Sequence, residues 1–236
     1  MVKNFIPLAF IIILIFTSEL AGNAVSVSAR SSSVAPDTIT EDQILYNGRI
    51  WRNQYLNLEN DQFLFTNEYI PGTVTMRGKC FTGIVLRYDI YNDEIITPAD
   101  IPGTIQINKE LVDSFSLIFG YRTYRFSKIA DDTLANLRGY VNVLYKGRSA
   151  LYMRYVKELY HMSGQNVNDR FFQKSQLYFV KDKIVYPIKN KRELFGILKD
   201  LKPQIKDFIK KYNLEVSGKE PESFVPVLRF ADSLTQ

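Results

Sequence analysis

Between residues 62 and 186 the chain alternates apolar and polar side chains with period two, in short runs separated by turn residues. Ile84-Val85-Leu86-Arg87-Tyr88-Asp89-Ile90-Tyr91 shows the rule: Ile84, Leu86, Tyr88 and Ile90 share one face, and Arg87 and Asp89 lie on the other. That pattern predicts a half-buried antiparallel strand. Residues 104–108, 114–119 and 122–126 alternate in the same way, and 62–65, 73–76, 140–145, 150–156, 176–180 and 184–186 are further strand candidates. Pro71-Gly72, Arg77-Gly78-Lys79, Asn92-Asp93, Pro102-Gly103, Gly120, Lys146-Gly147 and Lys181-Asp182-Lys183 supply turn chemistry between them. Glycine accepts positive φ, and proline fixes φ and removes a donor. Connections this short return the chain antiparallel, because a parallel crossover needs a dozen residues or more. The expectation is a meander of roughly nine to eleven strands, a number that favours curling or splitting into two layers. A half-barrel, an open barrel and a sandwich all fit. Residues 108–112 read as a bend, 127–137 as a loop or short helix, and 163–169 as a flexible loop.

Beyond residue 189 the period changes. Leu194, Ile197, Leu198, Leu201, Ile205, Phe208, Ile209 and Tyr212 recur at steps of three and four, the apolar stripe of an amphipathic helix. Asn190 is placed to cap its start. Pro203 interrupts the ladder, so two helices are expected, with Pro203 in the first turn of the second and Asn213 or Leu214 at its end. Glu220-Pro221-Glu222 opens a third, with Phe224, Val227, Leu228, Ala231 and Leu234 on one side. The expected class is mainly β (α+β): an antiparallel β domain over 44–188 and a small helical cap over 189–236 packed on it.

The N-terminus has its own pattern. Met1-Val2-Lys3-Asn4 precedes an apolar run over 5–16, broken only by Pro7. As a helix that run is roughly 18 Å long, short of a ~30 Å hydrocarbon layer. A basic start, a short apolar core and small residues afterwards are the pattern of a signal peptide over 1–29, with Ala24 or Ala29 as the cut. No cysteine lies near either site, so lipoprotein processing is not expected. Residues 30–43, small and polar without period, read as a flexible leader.

Composition narrows the chemistry. Hydrophobic residues make up 46% and charged residues 23%, which is ordinary for a folded domain. The 15 Tyr and 16 Phe favour strands. Cys80 is the one cysteine, so the fold is held without an internal disulfide. It sits in a strand pattern, where half-burial is expected. His161 is the one histidine, too few for a zinc site and without a nucleophile elbow to serve. Asp89, Asn92, Asp93 and Glu94 are dense in oxygen but lack the EF-hand order, and read as a polar hairpin turn. Asp131-Asp132 reads as a cap or turn, and Trp51 as a core anchor for the first strand. No catalytic, cofactor or metal residue is expected.

Charge is uneven. Residues 181–211 hold ten Lys or Arg and four acids, a local charge of +6 against +5 for the whole chain. The outer face of the cap is therefore basic. Lys191, Arg192, Lys199, Lys206 and Lys210 are the candidate surface for an anionic membrane or an envelope protein partner. Nucleic acid is not expected, since no aromatic stacking platform is interleaved with these cations.

Phe63-Leu64-Phe65, Pro71-Gly72-Thr73-Val74-Thr75, the 86–94 run, Val143-Leu144-Tyr145-Lys146-Gly147, Lys191-Arg192-Glu193-Leu194 and the 205–211 run form a pattern of their own. Through it the chain resembles a broad group of uncharacterised exported β-rich proteins of Bacteroidetes-type bacteria. The resemblance covers most of the mature chain and implies a Gram-negative periplasm or an outer-membrane association. It carries no catalytic residues. The expected role is that of an exported, non-enzymatic envelope protein, a β-scaffold that binds a protein partner or a membrane surface. The alternative is a periplasmic carrier of a lipid or other apolar ligand, with Phe115, Leu117, Tyr124 and Phe126 lining a cavity.

Overall fold

A computed structural model describes residues 44–99, 103–129, 134, 137–162 and 168–235. The signal peptide, the leader, Asp131-Asp132 and most of the 163–169 loop lie outside the described residues. Eleven strands form one antiparallel sheet: β1 (Arg49–Ile50), β2 (Ile70–Met76), β3 (Lys79–Asp89), β4 (Glu94–Pro98), β5 (Thr104–Gln106), β6 (Val112–Phe119), β7 (Arg122–Ile129), β8 (Gly139–Lys146), β9 (Ala150–Tyr160), β10 (Arg170–Lys181) and β11 (Ile184–Ile188). Three short helices follow: α1 (Lys191–Ile197), α2 (Lys202–Lys211) and α3 (Val225–Leu234). The fold is mostly antiparallel β with a small C-terminal helical part, as the periodicity predicts.

The strand order β1-β5-β4-β3-β2-β6-β7-β8-β9-β10-β11 departs from an uninterrupted meander at two places, the first being that β1 pairs with β5 instead of β2. After β5 the chain passes through a 3-10 turn, Lys109–Leu111, and β6 pairs with β2 instead of β5. Two hairpin runs, β2–β5 and β6–β11, are thereby joined edge to edge. Three of the tight turns carry positive φ at both central residues: Arg77-Gly78, Gly120-Tyr121 and Asp182-Lys183. This is the conformation whose twist matches the flanking strands in two-residue hairpins.

The sheet curls without closing. Tyr88 on β3 lies 5.2 Å from Phe126 on β7 and 6.1 Å from Tyr140 on β8, ring to ring, although β2, β6 and β7 intervene in the sheet between β3 and β8. Inside the curl, Val74, Met76, Leu86, Tyr88, Phe115 and Leu117 are buried in one cluster. Phe115 and Phe126 stack at 4.6 Å. The same face continues across β9–β11, where Leu151, Met153, Leu177, Phe179 and Ile188 meet the helices. Tyr155 packs against both clusters and makes them continuous. The opposite face of β8–β10 carries a smaller cluster of Leu137, Val141, Ala150 and Tyr152.

Several expectations are corrected. Residues 62–65 are not a strand: Phe63 makes a lone bridge to Asp89, and φ of +67° at Phe65 ends the pairing. Their backbone is held by Lys157, whose Nζ donates to the carbonyls of Asp61 and Phe63, both at 2.7 Å. β4 was not legible because Ile95, Ile96 and Thr97 are buried consecutively, which erases alternation. Cys80 is exposed, since its strand turns that side chain outward near the β2–β3 turn. Leu234 is exposed at the last turn of α3. Trp51 is half-buried just past β1 and meets Phe63 at 5.9 Å.

Candidate functional site: a basic groove in the helical cap

The cap is positioned by apolar anchors and by caps of both kinds. Asn190 Oδ1 accepts from the backbone N–H of Arg192 (2.9 Å) and Glu193 (3.1 Å), while Glu193 Oε2 accepts from the N–H of Lys189 (2.7 Å). This reciprocal arrangement satisfies otherwise orphaned donors at the start of α1. It fixes where Lys191 and Arg192 leave the helix. Leu194 and Phe195 are buried in the cluster that joins the cap to β9–β11. A 3-10 turn, Lys199–Leu201, leads into α2, whose second residue is Pro203 and whose Ile205 is fully buried. Phe208 stacks on Phe230 of α3 at 4.2 Å. Asp232 of α3 accepts from Tyr145 Oη (3.0 Å) and the Ser149 N–H (2.9 Å), which pins α3 to the β8–β9 hairpin.

This packing leaves an open groove of about 350 Å³ between α1 and α2. Phe195 and Ile209 form its apolar part; Lys191, Arg192, Lys202, Lys206 and Lys210 surround them. Lys202, Lys206 and Lys210 follow one another at four-residue steps, so they stand in a single row along α2. No acidic residue lines the groove, and none of the five cations makes an ion pair among the described residues. Like charges at i,i+4 destabilise a helix by about 0.2–0.5 kcal/mol per pair. The row is thus an unfavourable arrangement for the isolated fold and a favourable one for an anion. An apolar strip between cations is complementary to an anionic amphiphile, with charge at the rim and hydrocarbon at the centre.

Four of the five residues singled out from the sequence, Lys191, Arg192, Lys206 and Lys210, meet at this groove. Lys199 does not: it lies exposed in the 3-10 turn between the helices. Lys202, Phe195 and Ile209 were not singled out. The four-residue spacing of Lys202, Lys206 and Lys210 was the available signal for the first; Ile209 reads as a member of the apolar stripe, and Phe195 lies outside that stripe. No helix among the described residues is long and apolar enough to cross a membrane.

The other polar residues singled out from the sequence are engaged by partners within the chain. Asp89 is buried and accepts from the N–H groups of Tyr91 and Asn92 and from Asn92 Nδ2, each at 2.9 Å. Burial raises its pKa, and the Asn92 bonds partly offset the rise. Asp93 accepts from Tyr88 Oη at 2.6 Å and pairs with Lys109. The dense oxygens of this turn are therefore engaged by protein donors, and among the described residues no group of three or more His, Cys, Asp or Glu could hold a metal ion. His161 pairs with Asp169 (Nδ1 to Oδ2, 2.6 Å) on the exposed ends of β9 and β10, and that bond lowers the Asp169 pKa.

No protein-family model, curated protein or solved structure matches this chain.

Proposed function

We propose that this is an exported, non-enzymatic envelope protein whose β-scaffold presents the helical cap to an anionic membrane surface. The observation that carries the reading is the groove of five cations, unpaired among the described residues, around Phe195 and Ile209. Each Lys or Arg near an anionic bilayer contributes about 1 kcal/mol, falling off within a Debye length. Five such groups on one small surface are enough for reversible attachment without a membrane-spanning segment. Co-sedimentation with phosphatidylglycerol vesicles tests it. Binding is expected at 0.1 M salt, reversed at 1 M salt, and absent with phosphatidylcholine alone; equal binding to both vesicles would overturn it.

A second reading, a carrier of a lipid or other apolar ligand, draws on the same groove, because Phe195 and Ile209 offer a strip for a hydrocarbon chain. The interior of the curl favours it less: Phe115, Leu117 and Phe126 are buried against one another there, with Tyr124 packed at the edge of the cluster. Native mass spectrometry of protein purified from its own envelope separates the readings. A stoichiometric apolar adduct, lost on denaturation, speaks for the carrier.

A further inference from the structure

A second cavity, of about 320 Å³, lies beside the edge strand β1. That is the low end of the ~300–1,000 Å³ typical of small-molecule sites. Trp51 and Tyr55 are among its lining residues. Both rings are braced from within the fold: Trp51 by Phe63 and by the Arg87 guanidinium at 5.0 Å, and Tyr55 by Tyr91 (5.5 Å) and Phe171 (5.3 Å) edge to face. Arg49, Glu94 and Gln106 form one rim as a connected set. Arg49 donates through Nε to Gln106 Oε1 at 2.5 Å and through Nη2 to Glu94 Oε1 at 3.0 Å.

Gln62 is the informative member. Only 1% exposed, it lines this cavity, and its Oε1 is buried without a hydrogen-bond partner among the described residues. Its amide nitrogen has one long contact, 3.5 Å, to Asn53 Oδ1, which already accepts the Tyr55 N–H at 3.0 Å. A buried amide left this poorly satisfied costs about 1–3 kcal/mol, and such groups in folded proteins usually meet a partner.

We propose that this cavity binds a neutral pyranose sugar, with a ring hydroxyl meeting the Gln62 amide and the apolar face of the ring lying on Trp51 or Tyr55. A hydroxyl both donates and accepts, so it satisfies either end of the amide. The rest of the lining has the same mixed character: the Gln54 and Asn92 amides, the Glu94 carboxylate, and the Arg49 and Arg52 guanidinium groups supply donors and acceptors around two aromatic rings. Neither an apolar ligand nor a metal ion matches that set. An anion is disfavoured because the Glu94 carboxylate lines the cavity and Arg49 is already engaged by Glu94 and Gln106, which leaves only Arg52 to meet it. Burial also raises the Glu94 pKa, against the lowering effect of Arg49. One carboxylate lines the cavity, and glycoside hydrolysis ordinarily takes two, so the proposal is of binding.

Trp51 is the only tryptophan of the chain, so its fluorescence reports this cavity alone. The chain is titrated with glucose, galactose, mannose and N-acetylglucosamine, and separately with inorganic phosphate. The expected result is a saturable change with at least one sugar, at a Kd on the order of millimolar. Gln62→Leu should weaken that binding at least about tenfold while Tm stays the same or rises, because the change removes an unsatisfied buried group and leaves Asn53 Oδ1 its Tyr55 donor. A purely structural Gln62 would lower Tm and leave the affinity of the folded fraction unchanged. Gln54→Ala, at an exposed position on the same cavity, provides a second variant should Gln62→Leu not fold, and should weaken binding severalfold. No saturable response to any of the four sugars, binding of phosphate alone, or unchanged sugar affinity in the folded variants would each overturn the proposal.

Discussion

Replacing Lys202, Lys206 and Lys210 together with Gln separates the groove's role in docking from its role in folding. Gln and Lys have similar helix propensity, so α2 keeps its intrinsic preference. Two like-charge i,i+4 pairs disappear, 202/206 and 206/210, which returns up to about 1 kcal/mol to the helix. Lys202 opens α2, where a cation opposes the helix dipole, and Lys210 lies in its last turn, where a cation favours it. These dipole contributions, about 0.3–1 kcal/mol each at most, have opposite sign and largely cancel. No ion pair is broken among the described residues. Stability should therefore stay within about 1 kcal/mol of the parent. Membrane attachment loses three cations at about 1 kcal/mol each, on the order of a hundredfold in partition coefficient. The assay is vesicle co-sedimentation at 0.1 M salt with phosphatidylglycerol, alongside urea unfolding of both proteins. Partition within threefold of the parent refutes the reasoning. So does a loss of binding accompanied by unfolding of the cap, since the lysines would then be structural.

Three further outcomes test other parts of the structure. Lys157→Met should cost about 2–4 kcal/mol in chemical unfolding, because it removes the buried ammonium that serves the carbonyls of Asp61 and Phe63 and leaves them unpaired; a change under 1 kcal/mol would show the 57–66 segment to be held by other contacts. Burial raises the Asp89 pKa above 3.8, so the folded state binds that proton more tightly than the unfolded state, and stability falls as pH rises from 3.8 through the raised value, then levels off. Asp89→Asn removes this loss, so its Tm relative to the parent should climb across that window; a pH-independent difference would refute the assignment. Exposed Cys80 should react stoichiometrically with a thiol reagent in the absence of denaturant, and a thiol that reacts only on unfolding would contradict its placement.

The alternation of apolar residues made most of the sheet legible, and it failed where burial stopped alternating. β4 is covered on both faces, so Ile95, Ile96 and Thr97 carry no period. At 62–65 the opposite happened: the side chains are buried like those of a strand, yet a lysine from β9 takes the carbonyls that a neighbouring strand would have taken. The outer halves of β9 and β10 were under-read because their projecting ends carry charged pairs such as Glu158–Lys174, which look like loop in sequence. The pairing of β6 with β2 has no local signal, since it depends on how the curl brings two hairpin runs together.

The two sites differ in how far sequence could reach them. The basic groove is built by two consecutive helices, within twenty residues of chain, so its charge was visible as a local excess and only its apolar centre was hidden. The β1 cavity gathers residues from four separate places: 49–55, Gln62, the 92–94 turn and Gln106. None of these is unusual alone, and Trp51 reads as a core anchor until the edge pairing of Arg49 with Gln106 and Ile50 with Ile105 leaves it half-buried. What marks the cavity is an energetic anomaly that exists only in three dimensions, a buried amide oxygen with no donor among the described residues. If that orphan were merely tolerated, removing it would improve stability at no functional cost. Its position against braced aromatic rings instead ties a penalty of about 1–3 kcal/mol to a specific place where a hydroxyl would relieve it. The stability and the binding of Gln62→Leu should therefore move in opposite directions.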